Sequence, residues 1–267
     1  MSSCDSVMES TGNLYGDLSL YYDQFCAEVD YAEQSAFAWR VFSCFSESGG
    51  MSYLDLACGT GQHLAHMEAH GFELHGLDNS AEMLSHAAAR CPRAHLQLCD
   101  LAAFDQVAVF DLITCFLYSI HYSHPTSALG ETFGRAYRAL KAGGTLLFNT
   151  VDARGIRNNA GIATEVTDGA ARLRFQSGWT YAGEGDVMRL NLSITRVGDS
   201  GQQQSWRDGH IMTATTLPQL QDMLEKTGFT VTLLEHDYQA MRPLHEGSFN
   251  AIVVAVKPLP ITGEATN

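Results

Sequence analysis

With 267 residues, 45 % of them hydrophobic, the chain can bury one sizeable core, or a core plus an appendage. Its 30 acidic against 16 basic side chains give a formal net charge of −14, which excludes nucleic acid and anionic membranes as natural partners and favours a small molecule. The seven cysteines lie in the first half without a C-x-x-C pair, and "MSSCDSVMES" carries no basic, apolar leader. No run approaches the roughly 18 apolar residues that span a bilayer, so a reducing, cytoplasmic setting is expected.

In chain order, residues 21 to 45 show helical apolar spacing, and "SYLDLAC" then reads as a short buried strand. Alternation follows: the strand "FELHGLD", a helix "AEMLSHAAAR" with Asn79 and Glu82 spaced as a capping box, and the strands "AHLQLCD" and "VFDLITCFLY". A helix around 126 to 140 leads through Gly143 and Gly144 into "TLLFNTV". This order predicts a parallel sheet covered by helices on both faces.

After Val151 the rhythm changes. Leu173, Phe175, Trp179 and Tyr181 alternate with polar residues, as do Leu190, Leu192 and Ile194, and a third strand is expected from Trp206 to Thr213. The core then resumes with a helix capped by Thr216 and stopped by Gly228, and with two closing strands, "FTVTLLEHD" and "FNAIVVAV". The expected organisation is an N-terminal helical cap over 1–46, a core over 47–152 and 214–258, and an inserted antiparallel β lid over 153–213. Frayed ends are expected at about 1–12 and 258–267.

The stretch "YLDLACGTGQHLAHMEAHGFELHGLDNS" carries the chemistry. A strand turning through Gly59-Thr60-Gly61 into a helix sets backbone N–H groups against an anionic ligand. A dinucleotide site would place a third glycine where Leu64 stands. Asp78, nineteen residues after Gly59, is placed to accept from both ribose hydroxyls. Ribose with a carboxylate and no phosphate points to S-adenosylmethionine.

These residues resemble the class I S-adenosylmethionine-dependent methyltransferases, with the amino-sugar and glycine-type N-methyltransferases as the nearest subgroup. The resemblance implies a Rossmann-like fold, a doubly wound, mostly parallel seven-stranded sheet. In "DLACGTG" it implies that Asp55, Ala57, Gly59 and Gly61 meet the cofactor, Asp55 either directly or by tying down the turn. It implies Asp78, Asn79 and Met83 at the ribose and adenine, Asp100 and Leu101 at the adenine amino group, and Phe116 to Tyr118 near the sulfonium. "YGDLSLYYDQFCAEVDY" resembles the helix folded over the cofactor, so that Tyr15, Tyr22 or Tyr31 caps it.

Transfer of a methyl group from a sulfonium needs alignment and a dry pocket, and aromatic faces stabilise the cation by about 0.5 to 2 kcal/mol each. Tyr21, Tyr22, Tyr118, Tyr122, Tyr181 and Tyr238 fall on segments expected near such a pocket, and Tyr22, Tyr118 and Tyr181 are the catalytic candidates beside His121. His121 is the expected general base, with His210 second. His63, His66 and His70 share a helix face that reads as solvated, so no metal site is expected. A small-molecule methyltransferase is the leading reading, with the acceptor and the choice between monomer and homodimer left open. An azetidine-2-carboxylate synthase that cyclises S-adenosylmethionine itself is the alternative, and a non-catalytic cofactor-binding regulator is the third reading.

Overall fold

The computed structural model describes residues 8–11 and 13–260, with side chains from residue 13 onward. Strand β1 (Met8–Thr11) is followed by a 3-10 turn at Ser19–Tyr21 and the short helix α1 (Tyr22–Phe25). Helix α2 (Tyr31–Phe45) starts where the Asp30 carboxylate accepts from the Glu33 N–H. Next come β2 (Ser52–Leu56), α3 (Gln62–Glu68), β3 (Glu73–Asp78), α4 (Ala81–Arg90), β4 (His95–Leu98), β5 (Phe110–Cys115), α5 (Thr126–Ala139) and β6 (Leu140–Val151). Then β7 (Ile162–Asp168), β8 (Ala171–Tyr181), β9 (Val187–Val197) and β10 (Gln203–Thr213) lead to α6 (Leu217–Thr227), β11 (Thr230–Glu235) and β12 (Asn250–Val256).

Seven strands form one sheet in the order β11-β12-β6-β5-β2-β3-β4, in which β12 alone runs against its neighbours. Side chains alternate across it. Tyr53, Leu112, Leu147, Ile252 and Val254 pack under Phe37, Val41 and Phe42 of α2 and Leu64 and Met67 of α3. Their strand neighbours Leu54, Leu56, Ile113, Phe148 and Val253 meet Leu129 and Phe133 of α5 and Leu220 and Leu224 of α6 on the other face. The result is a doubly wound three-layer α/β core.

The second sheet is larger than the alternation predicts. It holds β7 as well as β8 to β10, all antiparallel, and β1 adds to β10 in parallel register. Residues 8–11, expected as part of a frayed start, therefore form an edge strand, whereas the expected fraying at 1–7, 12 and 261–267 lies outside the described residues. The inner face of this sheet buries Leu173, Phe175, Leu192 and Ile194 against Leu14 and Leu18, which fixes the segment before α1 over the core.

Cap chemistry sets the helix ends. Thr216 and Gln219 form a capping box on α6, and Gly228 ends it with φ 112°. On α4 the expected Asn79 cap is displaced by one residue: Ser80 accepts from the Met83 N–H, leaving Asn79 outside the helix. The single helix expected across 21–45 is interrupted between α1 and α2.

Candidate active site

The strand-to-helix turn after β2 is built from left-handed residues, with φ 55° at Ala57, 53° at Gly59 and 80° at Gly61. A Cβ on Gly61 would stand 3.1 Å from that of Ala87, so this glycine lets α3 and α4 pack together. A Cβ on Gly59 would stand 3.8 Å from the Tyr22 ring, in the gap between the turn and the cover. The third glycine of a dinucleotide turn is not needed. Leu64 is fully buried against Gly76 of β3, where an added Cβ would lie 2.9 Å from the Leu64 side chain, so the close approach is made by the strand.

The turn holds Asp78 in place. The Gly59 N–H donates to Asp78 Oδ2 at 2.9 Å and the Ser80 N–H to Oδ1 at 2.9 Å. Burial lifts its pKa above the usual carboxylate range, against the pull of these N–H groups. The carboxylate faces a cavity of about 560 Å³, whose walls include Asn13, Tyr15, Tyr22, Ala57, Gly59, Asn79, Glu82, Leu101, Ser119, Tyr122, Asp208 and His210. A narrower recess shares Tyr22, Ala57, Gly59 and Ser119 with it and reaches Asp55, Thr60, His63 and Phe116.

Asp55 ends this recess, 1 % exposed. Its Oδ1 accepts from Thr114 Oγ1 at 2.8 Å, while the buried Oδ2 has no hydrogen-bond partner and lies 3.9 Å from His63 Nδ1. Burial pushes its pKa up to about 7 and that of His63 down to about 3. Because His63 Nε2–H donates to Gln34 Oε1 at 2.8 Å, Nδ1 is the free acceptor, turned to the acid that keeps its proton near neutrality. His63 is thus buried rather than part of a solvated helix face, and His70 stacks on Trp39.

The roof is a chain of hydroxyls and an imidazole. Asp208 Oδ2 lies 2.9 Å from His210 Nε2, His210 Nδ1 lies 2.6 Å from Tyr122 Oη, and Tyr122 Oη lies 2.8 Å from Tyr15 Oη. With Nε2–H donating to Asp208, Nδ1 accepts from Tyr122, which leaves Tyr15 to donate to Tyr122 and present its lone pairs to the cavity. The Leu14 N–H also donates to Asp208 Oδ2 at 2.8 Å, and Ser80 Oγ donates to the Tyr15 carbonyl. Asp23 anchors the far end of the cover, at 2.6 Å from both Thr60 Oγ1 and Arg90 Nη2.

His121 is placed elsewhere. It is fully buried, donating from Nδ1 to the Thr213 carbonyl at 2.8 Å and accepting at Nε2 from Thr150 Oγ1 at 2.9 Å, and burial pushes its pKa down to about 4. With both nitrogens engaged it ties the sheets together and is not available as a base. The reason is the 3-10 turn at Ser119–Tyr122, entered through Leu117 and Tyr118 with φ 55° and 60°. Its three-residue repeat puts Ser119 and Tyr122 on the cavity side and turns His121 inward.

Among the other expected site residues, Tyr118 packs against Trp179 and His236, with its hydroxyl 3.4 Å from His236 Nε2, and is not among the cavity walls. Tyr181 donates to the Gly185 carbonyl in a surface turn. Met83 is a core residue behind Ser80, and exposed Asp100 accepts from the Ala102 N–H, whereas its neighbour Leu101 lines the cavity. Tyr31 borders the recess, and Tyr21 and Tyr238 pack against Trp206 and Phe116. Asp208 and Ser80 were not foreseen. The signal for Asp208 is its spacing from His210: two polar residues two apart on the face of β10 that also carries Trp206 and Met212.

Residues 54–144 match the family model described as a methyltransferase domain. The chain is 29 % identical over 210 residues to a dTDP-3-amino-3,4,6-trideoxy-alpha-D-glucopyranose N,N-dimethyltransferase of Streptomyces venezuelae, covering 77 % of this chain and 86 % of that one. A putative methyltransferase of Geobacillus sp. (strain WCH70) is 28 % identical over 51 % of this chain, a match spanning only 56 % of the relative. Among solved structures, Streptomyces venezuelae DesVI superposes with a TM-score of 0.75 at 24 % identity, covering 91 % of this chain and 98 % of its own. The sugar N-methyltransferase KedS8 of Streptoalloteichus sp. gives 0.76 at 22 %, covering 97 % and 98 %. At these identities the superpositions establish the fold. Together with the matched segment, they show a methyltransferase domain over residues 54–144 set in the fold of the S-adenosylmethionine-dependent methyltransferases, with a glycine turn that holds Asp78 against the cavity.

Proposed function

We propose that the chain moves the methyl group of S-adenosylmethionine to the nitrogen of a small-molecule amine. The observation that carries this reading is a single cavity with Asp78 at its floor and the Asp208–His210–Tyr122–Tyr15 chain at its roof. The residues fit the cofactor: Asp78 is pinned to accept from vicinal hydroxyls, Gly59 leaves room beneath Tyr22, and the recess ends in a buried carboxyl for an ammonium. Bound there, S-adenosylmethionine supplies an electrophilic methyl carbon. An amine attacks it only when neutral, and the nitrogen must shed a proton once its bond to carbon has formed. Tyr15 offers an acceptor to the cavity, and its hydroxyl relays through Tyr122 to His210, whose imidazole Asp208 orients. Several relatives, the Streptomyces venezuelae protein among them, are named as dimethyltransferases of amino sugars, which supports an amine as the acceptor and an amino sugar as the first class to try.

The relay gives the test. Removing a proton acceptor from such a site costs about 10²-fold or more. Tyr122→Phe and His210→Asn should each lower kcat by about that factor while leaving cofactor affinity, measured calorimetrically, within about twofold. Unchanged kcat in both variants would remove the relay from the reaction.

A further inference from the structure

At the other end of β3 from Asp78, on the outer edge of the seven-stranded sheet, three side chains converge that the methyl-transfer site does not use. His75 on β3 and His95 on the edge strand β4 are direct register partners, so their side chains leave the same face. Glu73 lies two residues before His75 and joins them on that face. The imidazoles stack with centroids 4.8 Å apart. Glu73 Oε1 lies 3.5 Å from His75 Nε2 and 4.0 Å from His95 Nε2, and all three donor atoms lie within 4.8 Å of one another.

We propose that Glu73, His75 and His95 form a binding site for one divalent ion of the zinc class, bridging the last two strands of the sheet. Ligands about 2.0 to 2.1 Å from a tetrahedral ion are about 3.3 Å apart, against 3.5 and 4.0 Å from Glu73 to the two imidazoles here, so the side chains need only draw in slightly around the ion. Two imidazoles and a carboxylate are a donor set that zinc accepts, with the fourth position open to water. His75 Nε2 supports this: it is a buried atom whose contact with Glu73 at 3.5 Å is too loose for a formed hydrogen bond, and the Phe110 ring packs edge-on against the imidazole at 5.1 Å and fixes its plane. The ion would tie β4, a four-residue strand paired on one side only, to the core.

The test uses the full chain stripped of metal with a chelator and titrated with zinc chloride by calorimetry, with Tm followed in parallel. The expected result is one zinc ion per chain with a rise in Tm, and His95→Ala and Glu73→Gln should each weaken binding tenfold or more without altering Tm in the absence of metal or the rate of methyl transfer. His95 is mostly exposed, so its removal leaves the fold intact and the result readable. Replacing zinc by cobalt should give the intense visible absorption of a four-coordinate site, lost in His95→Ala. Absence of binding at millimolar zinc, or binding of unchanged affinity in His95→Ala, as coordination at exposed Cys44 would give, overturns the proposal.

Discussion

At the scale of single residues, Asp55 and Asp78 divide the work of two carboxylates by environment. Asp78 is held by two N–H groups at the cavity wall, whereas Asp55 has an unpartnered oxygen in a sealed recess. A carboxyl whose pKa rises on folding from about 4 to about 7 makes stability fall as pH rises between those values, by about 1.4 kcal/mol per unit, and level off above 7. Asp55→Asn should therefore stabilise the cofactor-free protein at pH 8 and bring no gain near pH 4. On the proposed function, Asp55 also meets the ammonium of the cofactor, so affinity for S-adenosylhomocysteine should climb from pH 6 to pH 8 in the native chain and stay flat in Asp55→Asn. Asp78→Asn should weaken binding throughout that range, by about 1.5 to 3 kcal/mol for each charge-assisted bond weakened or lost. Affinity without pH dependence in both the native chain and Asp55→Asn would leave Asp55 a purely structural role.

At the scale of elements, the cover is the informative part. The segment from Asn13 to Phe25 touches both sheets: Leu14 and Leu18 are buried on the second sheet, Tyr15 and Tyr22 line the cavity, and Asp23 is pinned to Thr60 and Arg90. Without the cofactor, the cavity leaves Tyr15 and Tyr22 little to pack on from below, so this segment belongs to the weakly protected part of the molecule. Hydrogen exchange over residues 13–25 should slow by at least tenfold when S-adenosylhomocysteine is added, and equal exchange in both states would make the segment a permanent part of the core. Much of the scaffold was legible before the structure, because periods of two and of 3.6 report burial directly: the alternation along β8 and β9, the Thr216 cap and the Gly228 stop all reappear. The parts that were not legible depend on partners distant in sequence. Four residues of β1 carry no period of their own and become a strand by pairing with β10, and β7, with Ile162, Thr164 and Val166 on one face, has too weak a contrast to announce itself. His121 was misplaced for a local reason, since a 3-10 turn after β5 gives it a different direction from the one a continuing strand would give.

At the scale of the whole molecule, the second sheet and the cover close the carboxyl edge of a doubly wound core, and the cavity lies between layers that the chain builds separately. Among the described residues no helix is long and apolar enough to cross a membrane. The cavity walls carry Asp78, Glu82 and Asp208 without a lysine or arginine, an environment that draws in cations such as a sulfonium or a protonated amine. The central claim is that the methyl carbon is the one attacked, and by a nitrogen from outside the cofactor. Incubating the pure protein with S-adenosylmethionine, first alone and then with a panel of small amines and amino sugars, and identifying every product by mass spectrometry tests it most directly. The predicted result is no turnover above background with the cofactor alone, and S-adenosylhomocysteine with a methylated amine, in equal amounts, once the right acceptor is present. Repeated turnover of the cofactor alone into methylthioadenosine and azetidine-2-carboxylate would contradict it.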